Sequence, residues 1–260
     1  MNTVIETLLN RGSLRVYKDE KVSKEHLDVV LQCAMRAPTA GNMMTYSIIV
    51  IENQELKEKL AVSCDNQPFI AKAPVLLVFL ADLNKWYKYY KNNNIKDFLA
   101  EKGEKFVGPA SSNLFLAMQD AVIAAENAVV AAQSLGLGTC YIGDVMEKIE
   151  YHKELLNLPK YVYPVTMLTL GYYPYNYNIM LRERFNKEFV VFNETYKELD
   201  TEEISNMFEN RDKLYVEKNK YGAKNYAQMH YSFKTKADFA KEMTRSVNRA
   251  LMEWNEEIIE

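Results

Sequence analysis

The chain has 260 residues, 48% of them hydrophobic, and a formal net charge of −3. That is enough for one large domain or two small ones with a full core. The near balance of acids and bases argues against nucleic-acid binding through a broad basic surface. Cys33, Cys64 and Cys140 are scattered and odd in number, which speaks against a disulfide framework and for a reducing compartment. His26, His152 and His230 have no companions at ligand spacing, so no metal site is expected. The first ten residues do not read as a signal peptide, and no apolar run reaches the ~18 residues of a membrane span. A cytoplasmic protein without a membrane or nucleic-acid partner is expected.

Ser23 is a good N-cap, and Leu27, Val30, Leu31, Ala34 and Met35 follow at helical spacing until Pro38 ends the helix. Residues 46–51 are rich in branched side chains and predict a strand, and 55–62 a short helix. Pro74 opens a continuous apolar run, 75–80, expected as a strand covered on both faces. Residues 84–108, with Trp86, Tyr87, Tyr89 and Tyr90, read as a partly helical excursion that could line a substrate mouth. The alanine-rich stretch 113–135 predicts the longest helix, small on almost every side, with Gly136 at its end and Glu126 as a buried polar contact. Strands are expected at 139–142 and at 165–170, the latter bounded by Pro164 and Gly171. Residues 189–192 read as extended, and 198–215 and 236–254 as helices. The whole is a mixed α+β chain with a helical C-terminal extension.

The chemistry concentrates in a few short motifs. Arg11 and Arg15 flank Ser13, and two guanidiniums with a hydroxyl suit an anionic phosphate. Pro38-Thr39-Ala40-Gly41-Asn42 ends a helix, and Asn42 offers both a donor and an acceptor to a flat ligand. Gln67 stands in a turn before the second strand. The glycines of Leu135–Gly143 fit neither a dinucleotide-binding nor a phosphate-loop pattern. Gly143, after Ile142, is a place where a backbone N–H meets a ligand without Cβ interference. Arg182 and Arg184 form a second pair of cations at alternate positions. Each motif alone is also an ordinary turn or solvated loop. No nucleophile–base constellation stands out, which favours chemistry carried by a cofactor.

Taken in order, RGSLRVY, RAPTAGN, DNQPFIAKAPVLLVFLAD, AENAVVAAQSLGLGTCYIGDV, LTLGYYP and LRERF resemble the nitroreductase family of FMN-dependent oxidoreductases, across about residues 5 to 196. The chain looks similar to the oxygen-insensitive, NADPH-dependent subgroup with a C-terminal extension. The resemblance implies an α+β fold with a central, mainly antiparallel sheet flanked by helices, and a homodimer with FMN at the subunit interface. It implies an FMN-binding part, 1–196, and a helical extension, 197–260, packed on the same domain or on the partner subunit. It places Arg11, Ser13, Arg182 and Arg184 toward the FMN phosphate and Arg15 nearer the ribityl chain and the N1–C2=O edge. Thr39, Asn42 and Gln67 become flavin contacts, some from the partner. Ile142 and Gly143 lie at the ring, with the Gly143 N–H facing N5. The implied activity is hydride transfer from NADPH or NADH through FMN to nitroaromatics, quinones or similar small electrophiles, without a catalytic side chain. Lys218, Lys220 and Lys224 are candidates for an NADPH phosphate, with a solvated basic face as the plainer reading. Alternatives on the same scaffold are dehalogenation, flavin fragmentation, or a flavin store or sensor. Two positions depart from the family pattern: Gly12 replaces a basic residue, and Asp144 stands where a second glycine is usual.

Overall fold

The computed structural model describes residues 2–255. Two compact units are present. One holds the chain up to Met180 together with the residues from Glu242 onward, and the other is Leu181–Lys241.

In the first unit the elements run α1 (Thr3–Asn10), α2 (Lys24–Met35), β1 (Tyr46–Ile51), α3 (Gln54–Ser63), α4 (Pro68–Lys72), β2 (Val75–Asp82), α5 (Asn84–Asn92), α6 (Ile95–Ala100), α7 (Ser111–Ser134), β3 (Leu137–Ile142), α8 (Ile149–Leu155) and β4 (Val162–Tyr172). Ser23 caps α2 by accepting from the His26 N–H. The strands form one antiparallel sheet in the order β1-β2-β4-β3. Alternation along β2 divides the core in two. Val75, Leu77, Phe79 and Ala81 join the alanine face of α7 and Val30 and Ala34 of α2. Leu76, Val78 and Leu80 join Leu60 of α3 and Ile70 of α4. Helices thus cover both faces, which is why β2 reads as an unbroken apolar run and is buried at every position.

The second unit carries α9 (Thr201–Asp212) and α10 (Tyr226–His230), followed by a π-helical turn, Tyr231–Thr235. Asp200 and Glu203 form a reciprocal capping box at the start of α9. The last helix, α11 (Asp238–Trp254), begins in this unit and continues in the first. There Ser246 donates to the Met146 carbonyl and accepts from the Ile149 N–H, at 2.7 and 2.9 Å. Glu242 accepts from the Lys148 N–H.

The structure corrects several expectations. β4 runs through both Pro164 and Gly171. Pro164 is tolerated because the register against β2 shifts at Phe79/Leu80, an irregularity that relieves the ladder where proline has no N–H to give. The partly helical reading of residues 84–108 agrees with the two helices found there, and Trp86 and Tyr87 each pack against the Tyr90 ring. The 3₁₀ turn Lys187–Phe189 reaches into the expected extended segment, 189–192, only at Phe189. The helices α1, α4, α8 and α10 were not anticipated; the last three are too short for a periodic signal. By length and a mean hydropathy of 1.5 helix α7 is apolar enough to cross a membrane, as the core helix of a folded domain can also be. Its buried side packs on the sheet and α2. Glu126 is exposed, and accepts from the Tyr141 hydroxyl at 3.0 Å.

Ala128 has no exposed surface where α7 meets the core. Ala128→Leu is expected to destabilise the chain by about 1–3 kcal/mol through overpacking, read as a lower urea midpoint at unchanged slope.

Candidate functional site

The segment bearing Arg11, Ser13 and Arg15 lies along β3, an edge strand, with the Leu14 N–H donating to the Thr139 carbonyl at 2.8 Å. Leu14 is fully buried, so its neighbours Ser13 and Arg15 face outward and are exposed. Gly138 makes this possible, since a Cβ there would lie 2.4 Å from the Leu14 side chain. Gly12 has a similar reason. A Cβ would come within 2.7 Å of Ile179 and 3.2 Å of the Met180 carbonyl, so the basic residue usual at this place would clash.

Burial raises the Cys140 thiol above its ordinary range, and the Arg15 guanidinium, the Ser13 hydroxyl and Arg11 counter that rise. All three groups therefore converge beside one residue of β3. Neither arginine is ion-paired among the described residues. The Arg15 guanidinium lies 5.6 Å from the centre of the Phe69 ring.

Phe69 leads to the next site residue, because Gln67 is the N-cap of the same helix, α4. Gln67 Nε2 donates to the Cys64 carbonyl at 2.9 Å and to Asp144 Oδ2 at 2.6 Å. Both partners are acceptors, so the amide can point only one way, and both its hydrogens are committed. Asp144 follows Gly143 directly in a 3₁₀ turn, Asp144–Met146. Gly143 is exposed, and the space where its Cβ would stand is open. Ile142 is 2% exposed with its side chain in the core, which leaves only its main chain for a ligand.

The two ends of this stretch of surface differ in charge. Arg11 and Arg15 stand at the Cys140 end. At the other end burial pushes the Cys64 thiol up to about 12, with Asp144 adding to the rise. Glu147, 2% exposed and with Oε1 unpartnered, is raised to about 7 by burial first and then by Asp144 and Asp65.

The other expected site residues lie elsewhere. Thr39 and Asn42 sit on the loop entering β1, the opposite edge strand. Asp120 of α7, 2% exposed, holds that loop by accepting from Ala40 N, Thr45 N and Thr45 Oγ1 at 3.0, 3.2 and 2.6 Å. At the far end of α7, Gln133 accepts from the Tyr173 hydroxyl, whose ring abuts Gly138 and so the Arg11–Arg15 segment. Asp120 and Gln133 are roughly 20 Å apart at ~1.5 Å per residue. One chain therefore does not bring Thr39 and Asn42 to the arginines. The Trp86 indole N–H donates to the Met43 carbonyl, so the aromatic stretch braces this same loop. Arg182 and Arg184 are exposed in the second unit, where Arg184 donates to the Arg182 carbonyl. Lys218, Lys220 and Lys224 are exposed in that unit as well.

Sequence reading missed Asp120, Phe69 and Ser246. Asp120 had a signal, as an acid within an apolar helix; Phe69 and Ser246 had none beyond tertiary proximity.

The model of the Nitroreductase family matches residues 8–172. The chain belongs to the nitroreductase family. Among curated relatives, the FMN reductase (NADPH) of Bacillus subtilis is 32% identical over 215 residues, 82% of each chain. The oxygen-insensitive NADPH nitroreductase of Salmonella typhimurium is 31% identical over 216 residues, 83% of this chain and 84% of that one. Among solved structures, B. megaterium NfrA2 superposes with a TM-score of 0.79 at 31% identity, covering 96% of this chain and 98% of that one. In this nitroreductase-family chain these residues fit FMN chemically. Two unpaired guanidiniums and a hydroxyl suit a phosphate, and an open glycine suits a flat ring.

Asp120→Ala would leave two backbone N–H groups and a hydroxyl without their acceptor. A loss of about 2–4 kcal/mol in urea unfolding is expected. Glu147 has a folded pKa above its ordinary 4.5, so the native state holds its proton more tightly. Stability then falls as pH rises from about 4.5 to about 7 and levels off above. Glu147→Gln is expected to raise the melting temperature at pH 8 but not at pH 4.5.

Proposed function

We propose that this chain is an FMN-dependent NAD(P)H oxidoreductase that passes two electrons to small flat electrophiles such as nitroaromatics and quinones. The observation that carries this reading is the pair of unpaired guanidiniums with Ser13 along the β3 edge, the strand whose end leads into the open backbone at Gly143. Family membership and the full-length relatives point the same way.

A bound FMN would supply the hydride carrier. The chain's own residues would bind and orient it. Arg11 and Ser13 would hold the phosphate, with Arg182 and Arg184 as further contacts. Arg15 would hold the ribityl chain and the N1–C2=O side, where a fixed cation stabilises negative charge developing on the ring. The Gly143 N–H would face the reactive edge, with the Ile142 main chain beside it. Gln67, its two hydrogens committed, would offer its carbonyl oxygen.

Thr39 and Asn42 would come from a second copy. The ~20 Å between their tether and the arginines supports that arrangement. So does a wide apolar surface: Val4, Ile5, Leu8 and Leu9 of α1 and Phe115, Leu116, Val122 and Ile123 of α7 are all exposed. A homodimer covering these helices is part of the proposal. So are the division into a flavin-binding part, 1–196, with an extension, 197–260, and a cytoplasmic location.

The test is anaerobic stopped-flow absorbance of the FMN-loaded protein mixed with NADPH or with NADH. Rapid bleaching of the flavin band is expected, with the faster donor naming the nicotinamide. A yellow protein whose band persists with both would sink the reductase reading in favour of a flavin store or sensor. Arg11→Ala is expected to weaken FMN binding about 10- to 100-fold while changing riboflavin binding far less, measured by fluorescence titration.

A further inference from the structure

We propose that Asp144 makes this site selective for uncharged and cationic flat acceptors over anionic ones. The inference rests on the flavin reductase reading above and deepens it by naming the substrate class.

Asp144 is held by its short hydrogen bond from Gln67 Nε2 and is covalently next to Gly143, the open position of the site. Because the Gln67 amide is locked with both hydrogens turned away, the group it leaves free is an acceptor oxygen. A ligand approaching Gly143 from this side meets a carboxylate and an amide oxygen. No compensating donor from Gln67 is left to it.

The surroundings reinforce the sign. Glu242 is ion-paired with Arg245 and Glu147, raised to about 7, is only partly ionised, so the charge that adds to Asp144 is Asp65, set against Lys148. That cation is turned to the Ser63 carbonyl, to which its Nζ donates at 3.1 Å. Arg11 stands at the opposite, Cys140 end, where the phosphate would occupy it, and Arg15 would be engaged by the ribityl chain and the N1–C2=O side. The negative charge of Asp144 is therefore the one left facing a ligand at Gly143. An anionic acceptor would bring its charge to the negative end, and a few ångströms of partly exposed separation make that repulsion worth about tenfold in affinity.

Three nitrobenzenes of one size and different charge decide it: 4-nitrobenzamide, 4-nitrobenzoate and 4-nitrobenzyltrimethylammonium. With the FMN-loaded enzyme, kcat/KM for the amide and the cation is expected to exceed that for the carboxylate by about tenfold or more. Asp144→Asn, which keeps an acceptor for Gln67, is expected to bring the three within about threefold, and Asp144→Glu to retain the preference. A second readout needs no turnover. Benzamide is expected to perturb the flavin band of the oxidised protein at lower concentration than benzoate, and Asp144→Asn to remove the difference. Asp144→Asn is also expected to raise the flavin midpoint potential, because the reduced ring is the more negative form.

Equal benzoate and benzamide affinities in the wild type, or a preference that Asp144→Asn leaves intact, would overturn the inference. If the flavin is bound but not reduced by either nicotinamide, the reductase reading fails, while the benzoate and benzamide titration still decides the charge preference. A protein that takes up no FMN overturns both.

Discussion

The first unit depends on how closely α7 approaches the sheet. Alanines at 117, 121, 124, 125, 128, 131 and 132 are buried along this helix. Small side chains let β2, β3 and β4 pack against it on one side and α2 on another without gaps. A larger residue at any of these places would separate layers that carry the site at their ends. The helix also sets a length: Asp120 fixes the loop into β1 near one end, and Gln133 meets Tyr173 near the other. The distance between the two groups of expected flavin contacts is thus a property of one helix.

That separation gives the proposed dimer a physical meaning. The Arg11–Arg15 segment and Gln67 assemble within one chain through β3, Phe69 and Asp144. The Thr39–Asn42 loop is equally well built, with Asp120 and Trp86 holding it, but at the opposite edge of the sheet. Two finished half-sites on opposite edges suit an assembly in which each copy completes the other. The exposed apolar residues of α1 and α7 are the surface such an assembly would cover.

The charges around Gly143 are residues of ordinary type in unusual company. Among the described residues Arg11 and Arg15 have no carboxylate partner, and Asp144 has no ion-paired cation. Asp144 is held by an amide, which satisfies its oxygen without cancelling its charge. Behind it, Ser246 of α11 ties down the Met146 carbonyl and the Ile149 N–H, so the turn after Gly143 is braced from the C-terminal end of the chain. Both features keep the geometry at Gly143 rigid while leaving its open side free.

Much of the secondary structure was legible in the residues themselves. The helix after Ser23, the strand at 46–51, the buried run from Val75 and the alanine helix follow from capping, branching and periodicity, which are local. The family, too, was legible, since six short motifs in order carry it. Strand β4 was misjudged at both ends because Pro164 and Gly171 are breakers by local rule; a register shift and the close approach of Tyr17 and Pro74 admit them. The excess glycine at position 12 and the role of Asp144 were visible only as departures. Their causes, a clash with Ile179 and a hydrogen bond from Gln67, lie between residues distant in the chain. Local propensity, turn chemistry and motif order were determined by the sequence alone. The tertiary structure decided which charges meet, which are left without a counter-ion and which face stays open, because those depend on side chains that only packing brings within a few ångströms.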